Sequence, residues 1–72
     1  MYKLIIKQSD IQIKTYSKYF VIRTKFEDKI CAYRIIDQIY INSDIKLEQV
    51  VLNKLFKHCE VFKIKPNGDI LW

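Results

Sequence analysis

The segment LEQVVLNKLFKHC, residues 47–59, decides the fold, because its apolar residues recur at helical spacing. Polar side chains such as Asn53 and Lys57 fall on the other side of the predicted helix. An apolar stripe of this kind is most simply used to pack against a sheet. We therefore predict one amphipathic helix that begins near residue 46, with a stripe formed by Val51, Leu52, Leu55, Phe56 and Cys59.

The residues before this helix have the patterns of strands. They alternate apolar and polar positions, or run apolar in short bursts, and they are rich in β-branched and aromatic side chains. Short polar breaks separate YKLIIK (2–7), IQIKT (11–15) and YFVIRTKF (19–26), so we predict that these segments form an antiparallel meander. Two further strand patterns follow in ICAYRI (30–35) and IYIN (39–42).

The residues after the helix predict a hairpin. VFKI (61–64) has a strand pattern, and Asn67-Gly68 predicts a type I′ turn, in which both central residues have positive φ. Pro66 has no N–H to give to a ladder, which places this hairpin at a sheet edge. The whole sequence therefore predicts one β-rich domain of the α+β class over residues 1–72, with mainly antiparallel strands in small sandwich-like sheets, one late helix and a C-terminal β-hairpin.

Composition predicts a compact domain with a small core. The chain has 72 residues, half of them hydrophobic and 14% aromatic, which is too apolar for a disordered chain. A core of this size is marginal, so a partner chain would add stability. The net charge of +5 suits an anionic partner such as nucleic acid, but the lysines are dispersed along the chain and also suit a solubilising surface.

The two cysteines indicate a reducing compartment. Cys31 and Cys59 have apolar neighbours, show no C-x-x-C spacing and follow no signal peptide, so we predict buried free thiols in a cytoplasmic protein. A disulfide, or a thiol and imidazole metal site at KHCE (57–60), remains the alternative. No apolar run approaches the roughly 20 residues of a membrane-spanning helix, so we expect no membrane partner.

Catalytic chemistry is hard to assemble from these residues. The acidic residues fall in predicted turns or on exposed faces, and His58 and Cys59, as neighbours on a helix, point about 100° apart. The single glycine, Gly68, excludes glycine-rich phosphate loops. We predict no catalytic residue, no metal ligand and no cofactor.

Tyrosines interleaved with basic residues are the most distinctive surface feature. In KTYSKYFVIRTK (14–25) and AYR (32–34) such residues could stack on bases and meet phosphates, or could anchor a protein interface. The candidate nucleic-acid contacts are Lys14, Lys18, Arg23, Lys25 and Arg34. The candidate dimer contacts are Tyr19, Val21 and Tyr40.

The order of elements carries a family resemblance. After the meander come CAYRIIDQIYIN (31–42), IKLEQVVLNKLFKHC (45–59) and EVFKIKPNGDIL (60–71). This order resembles the N-terminal β domain of the CRISPR-associated integrase of spacer acquisition, over essentially the whole chain. The chain departs from the family pattern at Glu48, where a small hydroxyl cap is usual, and at Cys59, where the helix commonly ends in glycine.

The resemblance implies a scaffold without a catalytic centre. In the family, a larger helical domain follows the hairpin and carries the metal-binding residues, none of which matches a position here, His58 included. The family's β domain joins two subunits across a two-fold axis and helps shape the surface for protospacer DNA. The resemblance thus implies a role in antiviral defence, in which the chain, as a stand-alone protein or a fragment of a longer integrase, meets DNA or other spacer-acquisition proteins.

We therefore expect a non-catalytic homodimer, formed by strand edges and tyrosine-rich faces, with 19–26 and 39–42 the expected contact segments. The alternative is a small monomeric nucleic-acid-binding module that uses residues 14–25. An enzyme with an unrecognised site is a third possibility.

Overall fold

The computed structural model describes residues 2–72, which form two three-stranded sheets and one α-helix around a shared core. The elements in chain order are β1 (Tyr2–Ile6), β2 (Gln12–Thr15), β3 (Tyr19–Arg23), β4 (Asp28–Ala32), a 3₁₀ turn (Tyr33–Ile35), β5 (Ile36–Asn42), α1 (Gln49–His58) and β6 (Glu60–Ile64). The predicted α+β class and the single late helix are confirmed for these residues.

The second sheet is an antiparallel meander in the order β2-β3-β4, so the predicted pairing of residues 11–15 with 19–26 is confirmed and β4 is its third strand. Ile13 lies opposite Ile22, and Phe20 lies opposite Cys31. All four of these side chains are buried, so one face of this sheet belongs to the core. The β3–β4 turn is closed by the Thr24 N–H, which donates to the Glu27 carbonyl oxygen at 2.9 Å.

The first sheet differs from the expected meander. Its order is β1-β5-β6, and both of its pairings are parallel. The meander prediction was therefore wrong for residues 2–7, because β1 pairs with β5 and not with its neighbour in sequence, β2. The alternating pattern fixes which face of a strand is buried, but it carries no information about strand direction or partner. The crossover that returns β5 to the parallel β6 is α1 itself.

The helix begins at Gln49, three positions later than residue 46, with Glu48 at the N-cap and Cys59 at the C-cap. Within the predicted apolar stripe, Leu55 and Cys59 are buried, whereas Val51 and Leu52 pack against the core partly buried. The remaining member of the stripe, Phe56, is half-exposed and stacks on Trp72 with 5.8 Å between ring centroids.

The predicted C-terminal hairpin is reduced to a turn and one isolated antiparallel bridge, between Ile64 and Ile70, and the turn is not type I′. Gly68, at φ 97°, is the only residue with positive φ in the described part of the chain, so Asn67 does not have the positive φ that a type I′ turn requires. The Gly68 N–H donates to the Lys65 carbonyl and the Lys65 N–H to the Asp69 carbonyl, both at 2.8 Å. Pro66 explains the difference. Its fixed φ suits the first central position of a β-turn, so the turn spans residues 65–68, with Pro66 and Asn67 at its centre, and not the predicted Asn67 and Gly68.

Candidate interaction surface

The outward side of the β2-β3-β4 sheet carries an apolar surface. Because Ile13, Phe20 and Cys31 point into the core, the alternate residues of each strand point outward. Lys14, Val21 and Ile30 form one row across the three strands, and Tyr19 lies opposite Ala32 in a second row. Ile30 is 69% exposed. We call this surface the Val21 face, formed by Lys14, Tyr19, Val21, Ile30 and Ala32.

Two tyrosines extend the Val21 face at the β2–β3 hairpin. The rings of Tyr16 and Tyr19 stack with 4.9 Å between centroids and 19° between planes. The Tyr16 N–H donates to the Tyr19 carbonyl at 2.9 Å, so the hairpin backbone holds the two residues side by side. Both side chains are partly exposed, which leaves aromatic surface at this end of the sheet.

A groove of about 570 Å³ lies beside Tyr19, and we call it the Tyr19 groove. It brings together three residues that the sequence singled out, namely Lys18, Tyr19 and Arg34. Lys18 comes from the β2–β3 turn and Arg34 from the 3₁₀ turn, so two cationic side chains border an aromatic and aliphatic lining. The full lining is Ser17, Lys18, Tyr19, Ile30, Ala32, Tyr33, Arg34 and His58.

Tyr33 and His58 form one wall of the Tyr19 groove, and their role was not predicted from the sequence. Their rings stack with 4.0 Å between centroids and 10° between planes. Burial raises the pKa of Tyr33, and its hydroxyl has no hydrogen-bond partner among residues 2–72. The AYR motif pointed to Tyr33, but nothing in the sequence indicated that the end of a distant helix would reach it.

The other three predicted basic residues lie outside the groove. Lys14 lies on the Val21 face, and Lys25 lies in the β3–β4 turn, at the far end of β3 from Lys18. Arg23 donates two hydrogen bonds to Asp28, from Nε to Oδ1 at 3.1 Å and from Nη2 to Oδ2 at 3.2 Å. This hydrogen-bonded pair raises the pKa of Arg23 and lowers the pKa of Asp28. The charge of Arg23 is thus already partly matched within the chain.

The predicted dimer residues do not share one face. Tyr19 and Val21 lie on the Val21 face, whereas Tyr40 lies on the outer side of the β1-β5-β6 sheet, in a row with Ile5 and Phe62. Tyr40 stacks on Phe62 at 5.0 Å, and its hydroxyl donates to Gln38 Oε1 at 3.1 Å.

The expected contact segments 19–26 and 39–42 offer no free strand edge. Residues 19–26 contain β3 and residues 39–42 lie in β5, and each of these strands is central in its sheet with neighbours on both sides. A central strand has no free edge to offer a second chain. Only the outward side chains of these segments remain available for contact.

The acidic residues and the cysteines of the described residues show no arrangement typical of a metal site or a thiol nucleophile. Between Tyr2 and Trp72, no group of three or more His, Cys, Asp or Glu side chains could hold a metal ion. Cys31 and Cys59 are free and buried, which confirms the prediction of buried free thiols. Burial raises the pKa of both thiols, which is opposite to the shift that a cysteine nucleophile needs.

No helix in residues 2–72 is long and apolar enough to cross a membrane.

Comparison with known proteins identifies the fold. No protein-family model matches the chain, and no curated protein is significantly similar in sequence. Among solved structures, the chain is similar to TM1797, a CAS1 protein from Thermotoga maritima, with a TM-score of 0.77 and 14% sequence identity. The match covers 97% of this chain and 24% of the CAS1 chain. The resemblance predicted from the sequence is thereby confirmed at the level of the fold.

Proposed function

We propose that this chain, which shares its fold with about a quarter of a CAS1 protein, is a non-catalytic scaffold domain of the kind found at the N-terminus of the CRISPR spacer-acquisition integrase. We further propose that it acts in antiviral defence as a homodimer, and that two copies meet through the Val21 face. The fold similarity supports the family assignment. The dimer is supported by the surface of this chain alone.

The observation that carries the dimer is the exposure of Ile30. Its side chain is 69% exposed and stands on β4, an edge strand of the β2-β3-β4 sheet, next to Val21 in the same row. Burying an isoleucine side chain is worth about 1.5–3 kcal/mol, and a two-fold contact would gain this twice. A domain of 72 residues has a small core, so it gains more than a large domain from covering such a face.

The test is the molar mass in solution, measured by light scattering on a sizing column over a range of protein concentrations. We expect a dimer for the wild type and a monomer for Ile30→Lys. Ile5→Lys is the matched control, because Ile5 is also an exposed isoleucine on an edge strand, but on the other sheet. A wild-type monomer at every concentration would overturn the dimer. Dissociation by Ile5→Lys alone would move the interface to the opposite sheet.

A second candidate function is nucleic-acid binding at the Tyr19 groove. Lys18 and Arg34 border the groove, and the stacked pair Tyr16 and Tyr19 offers an aromatic surface next to it. Aromatic rings flanked by cations bind single-stranded nucleic acid with little sequence preference and with strong salt dependence. Tyr19, Ile30 and Ala32 belong to both the Tyr19 groove and the Val21 face, so a second copy of the chain and a nucleic acid would compete for them.

The location and the partners in the cell follow from the same proposal. Two free buried cysteines suit the reducing cytoplasm, where disulfides are rare. Other spacer-acquisition proteins would be the natural partners of a scaffold with this fold.

A further inference from the structure

The outer edge of β2 presents unpaired backbone groups. In an antiparallel pair, residues alternate between those that bond to the partner strand and those that point away from it. The Tyr16 N–H bonds to Tyr19, and the register continues with Lys14 opposite Val21 and Gln12 opposite Arg23. The intervening residues, Ile13 and Thr15, therefore direct their N–H and C=O groups away from β3, toward the free edge.

A groove of about 550 Å³ runs along this edge, and we call it the β2 groove. One side is formed by six consecutive residues, 11–16, and the other by Lys46, Leu47, Glu48 and Val51. Side chains of consecutive strand residues point to opposite faces, so a groove that touches all six must run along the backbone edge. No backbone hydrogen bond of the described chain joins residues 46–48 to residues 11–16 across the groove.

The outer edge of the other sheet, at β6, is not open in this way. The outer edge of β6 is covered by the end of the chain, where the Leu71 N–H donates to the Lys63 carbonyl at 2.7 Å. Natural sheets protect uncovered edges with proline, bulges, charges or covering loops. Residues 11–16 contain no proline or glycine, and Lys14 is their one charged side chain. The β2 edge therefore keeps the straight backbone that an added strand requires.

We propose that the β2 groove binds an extended acidic segment of a partner protein, which adds to β2 as a fourth strand of the β2-β3-β4 sheet. Main-chain bonds to Ile13 and Thr15 would hold the segment in register, as in other cases of strand addition. Partly buried Ile11, Leu47 and Val51 would receive every second side chain, which should be apolar.

The charge of the β2 groove selects the acidic partner. Lys14 and Lys46 line it together with a single carboxylate, that of Glu48. Acidic residues at the outward positions of the added strand would face these lysines, and a basic segment would be repelled. The proposal does not require the dimer. The β2 groove shares Lys14 with the Val21 face, but the backbone edge of β2 and the Ile30 strand β4 are opposite edges of the sheet.

The probe is an eight-residue peptide, blocked at both ends, in which valine alternates with glutamate. It is titrated into the full chain while backbone amide shifts are followed by NMR. We expect shifts confined to residues 11–16 and 46–51, together with slowed hydrogen exchange at Ile13 and Thr15. The same peptide with lysine in place of glutamate should bind more weakly. Shifts centred on the Val21 face, or none at millimolar peptide, would overturn the proposal.

Two substitutions at Thr15 test whether the outward backbone N–H of β2 contributes to peptide binding. Thr15→Pro removes the outward N–H and leaves the ladder bonds of Lys14 and Tyr16 to β3 in place, whereas Thr15→Val keeps the N–H. We expect about fivefold weaker peptide binding for Thr15→Pro than for Thr15→Val, which corresponds to the loss of one ordinary hydrogen bond. Equal binding by the two variants would overturn the proposal.

Lys46→Glu is a second variant, which changes the charge of the β2 groove without a substitution in β2 itself. It should weaken binding of the glutamate peptide and strengthen binding of the lysine peptide. If the groove instead takes a second copy of this chain, Thr15→Pro will lower the molar mass in the absence of peptide, and the assignment to a partner protein is wrong.

Discussion

The ring of His58 lies on the ring of Tyr33, with 4.0 Å between their centroids and 10° between their planes. His58 is the last residue of α1, and Tyr33 is the first of the 3₁₀ turn after β4. The stack therefore ties the end of the helix to the antiparallel sheet and forms a wall of the Tyr19 groove. Because the stack joins two separate elements, its contribution can be measured through the stability of the domain.

The Tyr33 hydroxyl is predicted to cost stability. It is buried without a hydrogen-bond partner in residues 2–72, and a buried polar group left unpaired costs about 1–3 kcal/mol. We expect Tyr33→Phe to raise the free energy of unfolding by about 1 kcal/mol, measured by urea denaturation, while the ring stack is kept.

Tyr40→Phe is the matched control for this substitution. The Tyr40 hydroxyl donates to Gln38 at 3.1 Å, so its removal should lower the free energy of unfolding by about 0.5–1 kcal/mol. If Tyr33→Phe destabilises the domain as Tyr40→Phe does, the Tyr33 hydroxyl has a partner after all, such as an ordered water molecule.

The pair of Arg23 and Asp28 makes stability depend on pH in the acid range. Its hydrogen bonds lower the pKa of Asp28 below the unfolded value, which is about 3.9. The unfolded chain thus binds the proton more readily, and the contribution of the pair is present above about pH 4 and is lost as the pH falls through the lowered folded value. We expect Asp28→Asn to remove this contribution, so that the free energy of unfolding falls less steeply as the pH is lowered, measured by urea denaturation between pH 2 and 6.

Both side chains of this pair are exposed, so salt should weaken the effect. Glu27→Gln, at the neighbouring position in the β3–β4 turn, removes a carboxylate that makes no ion pair with Arg23 and serves as the control. An unchanged slope in Asp28→Asn would show that the pair contributes nothing in solution.

The sequence predicted which face of a strand is buried better than it predicted which strands pair. Alternation in residues 19–24 puts Phe20 and Ile22 on one side of a strand, and both side chains are buried. It could not reveal that β1 pairs with β5, because the partner is more than 30 residues away and a period of two is the same for both strand directions. Asn42 is an example of a contact that supports this pairing, since its side-chain amide donates to the Lys7 carbonyl at 2.6 Å across 35 positions in sequence. No local pattern encodes such a contact.

The same limit applies to the candidate surfaces: the sequence shows which side chains share a face of one strand, but not how separate elements are arranged. Tyr19 and Val21 are two positions apart on one strand, so the sequence alone puts them on one side of a sheet. The position of Tyr40 relative to these two residues depends on which sheet its strand joins, and the sequence does not show this. In the structure Tyr40 lies on the β1-β5-β6 sheet, whereas Tyr19 and Val21 lie on the β2-β3-β4 sheet. The Tyr19 groove depends on the position of the helix end, which the amphipathic pattern of α1 leaves open.

Nucleic-acid binding at the Tyr19 groove predicts unequal effects of two lysines with the same charge. Lys18 borders the groove, whereas Lys25 lies in the turn at the other end of β3. With a labelled single-stranded DNA dodecamer and fluorescence anisotropy, we expect Lys18→Ala to weaken binding about fivefold, corresponding to about 1 kcal/mol. The slope of log affinity against log salt should fall by about 0.7, the value for one phosphate contact on a single strand. Lys25→Ala should change neither quantity appreciably, and equal losses in the two variants would mean that binding follows net charge and does not use the groove.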